Sequence, residues 1–252
     1  MIGLIGFGRF GKLTTRHLAG DCKIYACDSG GKRDQIRKAG GEPVSMDTAC
    51  SQEIVLLCMP ISAMENTLEK IAPRLTHPHA LVIDVCSVKT LPVRWMREKL
   101  PSNISLLATH PMFGPDSARD SLKGHKIVLC PERISENRFR RIADRLASMG
   151  LVVIETTPED HDRQIAVSLA LTHFIGRTLS RFGAEDLLID TEGYKRLRHI
   201  LEVVENDTWQ LFEDMHRFNP FAAGTRRDFM ASMQAIEKHL AAQHVHGNHQ
   251  KK

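Results

Sequence analysis

Short apolar runs alternate with segments of helical periodicity along the first 155 residues of the chain. The runs predict β-strands, and their sequences are MIGLIG, KIYACD, EIVLLCM, ALVIDV, ISLLATH, KIVLC and LVVIET. Between them, Phe10–Ala19, Ala63–Ala72 and Glu136–Met149 carry apolar residues at i, i+3 and i+4, a spacing that predicts amphipathic helices. Strands separated by helices are typical of βαβ units, so residues 1–155 are expected to form an α/β domain with a doubly wound, mostly parallel sheet.

The pattern changes after Glu155, where the strand-like runs end. Further helices are predicted at Glu159–Arg181, Gly193–Asp207, Trp209–His216 and Arg226–Ala242. Residues 156–243 are therefore expected to form an all-α domain. Its apolar faces are broad for its size, which predicts a homodimer formed through the helical domain; burial of these faces within the chain is the alternative.

The remaining residues, 244–252, are polar and predict a solvated tail. They include His244, His246 and His249, which we interpret as part of the tail rather than as metal ligands. No metal site is expected elsewhere in the chain.

Three glycines, Gly6, Gly8 and Gly11, follow the first apolar run with the spacing GxGxxG. A predicted strand precedes them and a predicted helix follows them, which is the context of the dinucleotide-binding turn of the Rossmann fold. The first glycine permits the tight turn, the second lets the backbone approach a pyrophosphate, and the third lets the helix pack close to the strand. The N-terminus of the helix then offers N–H groups to the anion.

An acidic residue, Asp28, ends the second predicted strand, 17 residues beyond Gly11. A carboxylate there can accept both ribose hydroxyl groups and repels a 2′-phosphate, which favours NAD. Lys32 and Arg33 follow closely and could receive that phosphate, so NADP stays possible. The residues expected to bind the cofactor are Gly6, Phe7, Gly8, Arg9, Phe10, Gly11, Asp28, Met59 and Pro60.

Charge and cysteine content narrow the choice of partner and compartment. The chain has 34 Lys and Arg against 30 Asp and Glu, a net charge of +4, and the basic residues are scattered rather than clustered as nucleic-acid binding requires. A small anionic substrate is compatible with this balance. The six cysteines form no CxxC pair, which favours free thiols in a reducing compartment. Because a strand begins directly after Met1 and no apolar stretch has membrane-spanning length, we expect a cytoplasmic protein.

Candidate catalytic residues follow two predicted strands, because ligands of a doubly wound sheet bind beyond the carboxyl ends of its strands. Ser87 follows ALVIDV and His110 follows ISLLAT. Oxidation of an alcohol by hydride transfer needs a base for the hydroxyl proton, and the unperturbed histidine pKa of about 6.5 suits that role. A serine hydroxyl can orient the same oxygen or the cofactor amide. Either residue alone is ordinary in a loop, but together they indicate alcohol oxidation.

Four segments, GFGRFG, DVCSVK, THPMFGP and PEDHDRQIAVSLALTHF, together resemble the prephenate/arogenate dehydrogenase family of tyrosine biosynthesis. The resemblance spans both predicted domains and implies a Rossmann domain followed by a helical dimerisation domain. It implies that His110 is the catalytic base, that Ser87 bonds the substrate hydroxyl and the nicotinamide side, and that His173 lies in the substrate site. His161 also matches the family pattern, and we interpret it first as a helix-start or interdomain residue.

The resemblance also implies a dicarboxylate substrate and therefore a basic cluster in the helical domain. The segment GYKRLRHI supplies basic residues, and Lys195 and Arg198 are those expected to bind a carboxylate. The alternative for this segment is a solvated helix face.

The implied activity is oxidative decarboxylation of prephenate to 4-hydroxyphenylpyruvate, or of arogenate to tyrosine, with hydride transfer to NAD or NADP. Two alternatives stay open: a related β-hydroxyacid or imine-type dehydrogenase, and a protein that senses a dinucleotide without catalysis. The segment HPMFGP argues against the first alternative, and the presence of both His110 and Ser87 argues against the second.

Overall fold

The computed structural model describes the backbone of residues 1–247 and the side chains of residues 1–243. The chain divides into two compact units, Met1–Asp162 and Arg163–Lys252. The sequence pattern set the boundary after residue 155, where the strands end. The structural boundary comes later because Asp162 bonds to backbone N–H groups of the first unit, at Lys89 and Thr90.

Within the described part of the chain, the first unit forms an eight-stranded sheet. Its strands are β1 Ile2–Ile5, β2 Ile24–Cys27, β3 Glu42–Pro43, β4 Ile54–Leu57, β5 Leu81–Asp84, β6 Ser105–Pro111, β7 Lys126–Arg133 and β8 Val152–Glu155. Their order is β3-β2-β1-β4-β5-β6-β7-β8, and neighbours pair in parallel except β6 and β7, which are antiparallel. The order reverses at β1, which is the arrangement of a doubly wound sheet, so the predicted fold class is confirmed. The short strand β3 was not predicted, because two residues carry no apolar pattern.

Helices cover this sheet and connect its parallel strands. They are α1 Arg9–Leu18, α2 Arg33–Lys38, α3 Met46–Cys50, α4 Met64–Ile71, α5 Thr90–Lys99 and α6 Glu136–Ser148. The central strands are buried on both faces, and Leu4, Leu57, Leu81 and Leu107 are fully buried. Burial on both faces explains why these strands read in the sequence as continuous apolar runs rather than as alternating ones.

The described residues of the second unit form helices joined by loops, with no strand among them. Its elements are α7 Pro158–Ile165, which begins in the first unit, a π-helical segment Ala166–Leu171, α8 Thr172–Phe182, α9 Glu192–Glu205, α10 Trp209–Arg217 and α11 Ala222–Gly247. Helices α8 and α9 pack closely at Gly176, where a Cβ would lie 2.5 Å from Cγ2 of Val204. Gly183, with φ +82°, ends α8 in the left-handed conformation.

Helix α11 continues into the segment that the sequence pattern assigned to a tail. Its last residue is Gly247, so the backbone of residues 244–247 is helical. Residues 248–252, with His249, lie outside the described residues, as do the side chains of His244 and His246.

Three further properties of the fold bear on function. None of the helices described within residues 1–247 is both long and apolar enough to cross a membrane. Over the same residues, no group of three or more His, Cys, Asp or Glu side chains is arranged to hold a metal ion. The six cysteines are free thiols.

Candidate active site

The glycine turn between β1 and α1 has the geometry that a bound pyrophosphate needs. Gly6 has φ +93°, and a Cβ there would lie 2.7 Å from the carbonyl oxygen of Cys58. A Cβ at Gly11 would lie 2.4 Å from the carbonyl oxygen of Gly6, so glycine is what lets α1 pack against the turn. At Gly8 the Cβ position has no neighbour within 4 Å, and α1 begins there without a side-chain cap. The open space and the uncapped helix end together fit an anionic ligand.

Asp28, which directly follows β2, stabilises this turn through hydrogen bonds. Its Oδ2 accepts the N–H of Phe7 at 2.7 Å, and its Oδ1 accepts the N–H of Gly30 at 2.8 Å. Lys32 lies 3.6 Å from Oδ2 and donates to the carbonyl oxygen of Phe7 at 3.0 Å. Burial alone would raise the pKa of Asp28, but the hydrogen bonds from Phe7 and Gly30, with Lys32, hold that pKa below its usual range. Asp28 is therefore a carboxylate at neutral pH, as recognition of a ribose diol requires.

The other residues predicted to bind the cofactor surround the same turn. Arg9 pairs with Asp116 at 2.6 Å, and both side chains are about half exposed. The ring of Phe10 lies 6.2 Å from that of Phe113 and packs against the core, so its side chain supports α1. Met59 and Pro60 follow β4 directly, beside Gly6.

His110 and Ser87 lie at the ends of neighbouring strands. Strands β5 and β6 pair so that Asp84 is opposite Ala108, which brings the residues that follow each of these to the same edge of the sheet. The Ser87 Oγ is shielded from solvent and has no hydrogen-bond partner within the described residues. A buried hydroxyl without a partner is unusual in folded proteins and indicates a position that a ligand completes.

His110 contacts a second histidine, and this contact was not predicted from the sequence. Nδ1 of His110 lies 2.9 Å from Nε2 of His161, and the two rings meet edge to face. Nδ1 of His161 in turn lies 2.8 Å from Oδ1 of Asp162. His161 does lie in the first turn of a helix, as interpreted from the sequence, but its ring points to the candidate base. These three side chains are all buried.

A buried ion pair lies next to the side chains of His110, His161 and Asp162. The ammonium group of Lys89 is fully buried and pairs with the carboxylate of Asp84. It also donates to the carbonyl oxygen of Thr109, the residue before His110. The other oxygen of Asp84 accepts the N–H of Thr109 at 3.3 Å, and Oδ2 accepts the N–H of Cys86 at 2.9 Å. The ion pair thereby fixes the backbone of Cys86 and of Thr109, the residues that directly precede Ser87 and His110.

Both histidines of the candidate site are less basic than a free imidazole. Burial lowers the pKa of His110 well below its usual range, and the charges of His161 and Lys89 add to the effect. Burial also lowers the pKa of His161, while its hydrogen bond to Asp162 opposes that shift. Both rings are therefore neutral at neutral pH, which is the form in which a histidine can accept a proton.

Asp84, Lys89 and Asp162 were not predicted as parts of this site, and His161 was interpreted first as a helix-start or interdomain residue. A signal for Asp84 and Lys89 was present, because a lysine and an aspartate in an otherwise apolar segment must be paired if they are buried. His161 matched the family pattern, but its contact with His110 had no local signal, since 51 residues separate the two histidines.

In the helical unit, His173 is buried among polar groups that lack partners. Its Nε2 lies 3.7 Å from Oδ2 of Asp207, and its Nδ1 has no hydrogen-bond partner within the described residues. One turn further along α8, the guanidinium of Arg177 lies 4.6 Å from the ring centroid of Trp209, and its Nε is likewise unpaired. Burial lowers the pKa of His173.

His216 belongs to the same region of the helical unit. Its Nδ1 accepts a hydrogen bond from Arg226 at 2.6 Å, and its Nε2 is unpaired within the described residues. Burial, with the charges of Arg226 and His173, lowers the pKa of His216 to about 4. Unpaired nitrogens on His173, Arg177 and His216 make this region suited to an anion that accepts hydrogen bonds.

Lys195 and Arg198, the residues predicted to bind a carboxylate, lie in the first turn and in the middle of α9, whereas Asp207 follows the C-terminal end of this helix. At 1.5 Å per residue, roughly 14–18 Å of helix separates them from the partner of His173. Lys195 pairs with Glu192 at 2.9 Å, and Arg198 pairs with Asp186. The structure of one chain therefore does not bring these two side chains to His173.

A cavity of about 610 Å³ lies on the sheet face between α1 and α6. Its walls are mainly aliphatic and aromatic, and Phe10, Thr109 and Phe113 are among them. Neither Ser87 nor His110 lines this cavity, so we place the candidate chemistry at the strand ends.

A doubly wound sheet with this glycine turn, an ionised aspartate after β2 and a histidine at the strand ends defines a dinucleotide-binding protein of the Rossmann class. Comparison with family models specifies the class further. The model described as "Prephenate dehydrogenase, nucleotide-binding domain" matches residues 26–155, and the chain belongs to this family. A second model, described as "TYRAAT1-like, C-terminal domain", matches residues 178–252.

Curated relatives carry the same family names. Arogenate dehydrogenase 1 of Arabidopsis thaliana is 28% identical over 98% of this chain, and arogenate dehydrogenase 2 of the same plant is 29% identical over 95%. The chain spans 40% of the length of the first relative and 69% of the second.

Solved structures share the fold over nearly the whole chain. The prephenate dehydrogenase of Aquifex aeolicus, in complex with hydroxyphenyl propionate and NAD⁺, superposes with a TM-score of 0.75 at 21% identity, covering 95% of this chain and 90% of that one. Synechocystis arogenate dehydrogenase gives a TM-score of 0.72 at 20% identity, covering 96% and 92%.

Proposed function

We propose that this protein catalyses the oxidative decarboxylation of prephenate or arogenate, with a nicotinamide dinucleotide as hydride acceptor. The observation that carries the proposal is the state of His110. It is buried and neutral, its Nδ1 is engaged with His161, and its Nε2 is left to accept a proton. Family membership and the names of the relatives support the choice of substrate.

The residues of the glycine turn fit the dinucleotide. Gly8 leaves space where a Cβ would block a pyrophosphate, and the uncapped end of α1 supplies N–H groups and a positive dipole. The carboxylate of Asp28 is positioned for the adenosine ribose, which favours NAD over NADP. A nicotinamide dinucleotide held by these residues would supply the acceptor for the hydride that the carbinol carbon of the substrate gives up.

His110 accepts the proton of the ring hydroxyl at Nε2 as the carbinol becomes a ketone. Ser87 donates a hydrogen bond to the same oxygen or to the cofactor amide and so orients it, which would satisfy its unpaired hydroxyl. The ring carboxylate of the substrate then leaves as carbon dioxide, and aromatisation drives the step. The protein has to position the ring and remove one proton, so orientation and general-base catalysis are its main contributions.

A substrate with two carboxylates needs cations or hydrogen-bond donors to bind them, and the helical unit offers two groups of such side chains. His173, Arg177 and His216 present unpaired buried nitrogens in one region, which supports anion binding there. Lys195 and Arg198, predicted from the sequence, are already paired with carboxylates of their own segment. Both groups stay candidates, because Nε of Arg198 is likewise buried without a partner within the described residues.

The test is formation of reduced nicotinamide with prephenate and arogenate, each paired with NAD and with NADP. Turnover in any pairing supports the proposal and identifies substrate and cofactor together. A folded protein whose melting temperature rises with NAD but that turns over neither substrate would contradict it, and would favour a dinucleotide sensor.

Replacing Asp28 with asparagine is expected to shift cofactor preference towards NADP. The amide can still accept one backbone hydrogen bond, but it loses the charge that repels a 2′-phosphate, and Lys32 is released from its pairing. The ratio of kcat/KM for NAD to that for NADP should fall about 10-fold or more, as loss of a charge-assisted hydrogen bond predicts. Asp34→Asn, which removes an exposed carboxylate on α2, is the matched control and should leave the ratio unchanged.

We also propose that the protein is a homodimer that associates through its helical unit and works in a reducing compartment, with the cytoplasm as the expected one. Large apolar side chains lie exposed on that unit, among them Phe182, Leu188, Ile189 and Trp209. Exposed patches of this kind are typical of subunit contacts. Sedimentation analysis that finds a monomer at micromolar concentration would contradict the proposed association. The free thiols support the reducing compartment.

A further inference from the structure

His110, His161 and Asp162 form a buried row of side chains in which each proton position can be deduced. The carboxylate of Asp162 can only accept a hydrogen bond, and it lies 2.8 Å from Nδ1 of His161, so that nitrogen carries a proton. A neutral imidazole with its proton on Nδ1 has an acceptor at Nε2. That acceptor lies 2.9 Å from Nδ1 of His110, which must therefore be the donor. Nε2 of His110 is then the basic nitrogen.

The end of the row is anchored by backbone groups. Oδ1 of Asp162 accepts the N–H of Lys89 at 2.7 Å, and Oδ2 accepts the N–H of Thr90 at 2.8 Å. Thr90 is the first residue of α5, so the carboxylate lies at the positive end of a helix dipole. Its negative charge is thus held next to His161.

We propose that His161 stores the proton that His110 removes from the substrate. In this step, which rests on the proposed dehydrogenase function, the substrate O–H bond breaks as an N–H bond forms at Nε2 of His110. The Nδ1–H bond of His110 breaks as an N–H bond forms at Nε2 of His161. The positive charge therefore comes to lie on His161, beside Asp162, and the substrate hydride leaves to the bound nicotinamide.

The surroundings of the two rings favour this direction of transfer. The charged groups that act on them are Lys89, Asp84 and Asp162. Burial lowers the pKa of His110, and so do the charges of His161 and Lys89. For His161, burial and Lys89 lower the pKa, but Asp162 and Asp84 raise it. A proton is therefore more stable on His161 than on His110.

The replacement His161→Gln separates proton storage from simple positioning. Its amide oxygen can still accept the hydrogen bond from His110, but it cannot hold the transferred proton. We expect kcat to fall about 10- to 100-fold, a part of the usual contribution of a general base. The acid limb of kcat/KM should also move to lower pH, because His110 then titrates alone rather than as one of a coupled pair.

A purely structural role for His161 predicts a different result. His161→Gln would then keep the wild-type plateau and the wild-type acid limb, and that outcome would overturn the proposal. His79→Gln, which alters an exposed histidine, serves as the matched control and should change neither quantity.

The proton positions can also be measured without any substrate. Nitrogen-15 NMR of the wild-type protein, with resonances assigned from the His161→Gln and His110→Asn spectra, should show both rings neutral with the proton on Nδ1. A proton on Nε2 of His110 would overturn the proposal without any kinetic measurement.

The two proposals fail in different ways. Absence of turnover by the wild-type protein with either substrate would remove the proposed function, while the NMR result would still decide the proton positions. Wild-type turnover together with an unaltered pH profile for His161→Gln would remove only the storage role.

Discussion

Replacing His110 with asparagine is expected to lower turnover about 10²–10⁴-fold, the usual share of a general base. The asparagine amide lies where Nδ1 of the histidine was, so it can still donate to His161 and keep the local packing. It lacks the Nε2 that accepts the substrate proton. Because the glycine turn and Asp28 are untouched, the affinity for NAD should stay nearly unchanged. Steady-state kinetics and a dinucleotide titration of the same preparation measure both quantities.

A matched control is available for this experiment. His79 is exposed in a surface loop, and His79→Asn makes the same chemical change away from the site. Its turnover should equal that of the wild-type protein. If His110→Asn also kept turnover within a few-fold of wild type, His110 would not be the base and the mechanism proposed above would be wrong.

Replacing Lys89 with methionine is expected to have the largest effect on stability. The lysine side chain is fully buried, and its loss would leave the carboxylate of Asp84 buried without its counter-ion. Breaking such a pair typically costs about 3–5 kcal/mol of unfolding free energy. Urea denaturation followed by circular dichroism would report the change as a lower midpoint with an unchanged slope.

The double variant Asp84→Asn with Lys89→Met distinguishes a charge effect from a packing effect. Removing both charges should restore much of the stability, because no ion is left uncompensated in the core. Lys99→Met, which breaks a surface pairing with Glu69, should leave the midpoint nearly unchanged. If the double variant were as unstable as Lys89→Met alone, the loss would come from packing rather than from an unpaired charge.

The cofactor turn was predicted from the sequence because its causes are local. Gly6, Gly8 and Gly11 lie close together in the chain, and the positive φ of Gly6 and the close approach of Gly11 to the carbonyl oxygen of Gly6 both arise within the turn. The helices of both units were predicted for the same reason, since helical periodicity can be recognised within one continuous segment of the chain. The predicted helix Glu159–Arg181 is helical without a break, although its middle part, Ala166–Leu171, is a π-helix rather than an α-helix.

The basic residues of the helical unit show the limit of local reasoning. Lys195 and Arg198 were chosen because charges cluster in the segment GYKRLRHI, but carboxylates that shortly precede this segment, Glu192 and Asp186, already pair with them. Arg177 was not predicted as a site residue, because a single arginine in an amphipathic helix is typical of a solvated side chain. Only the packing of α8 against the chain near Trp209 makes it half-buried and shields its Nε from solvent.

The sequence by itself determined the doubly wound sheet, the dinucleotide turn, Asp28 and the positions of Ser87 and His110 at strand ends. Each of these depends on periodicity or on contacts between residues close in the chain. The tertiary structure alone decided which nitrogen of His110 is basic, since His161 and Asp162 reach it from a helix 51 residues away. It also decided that Lys89 is a buried partner of Asp84 rather than a surface charge. Burial and hydrogen-bond direction arise from packing between distant segments, and that packing sets the chemistry of the site.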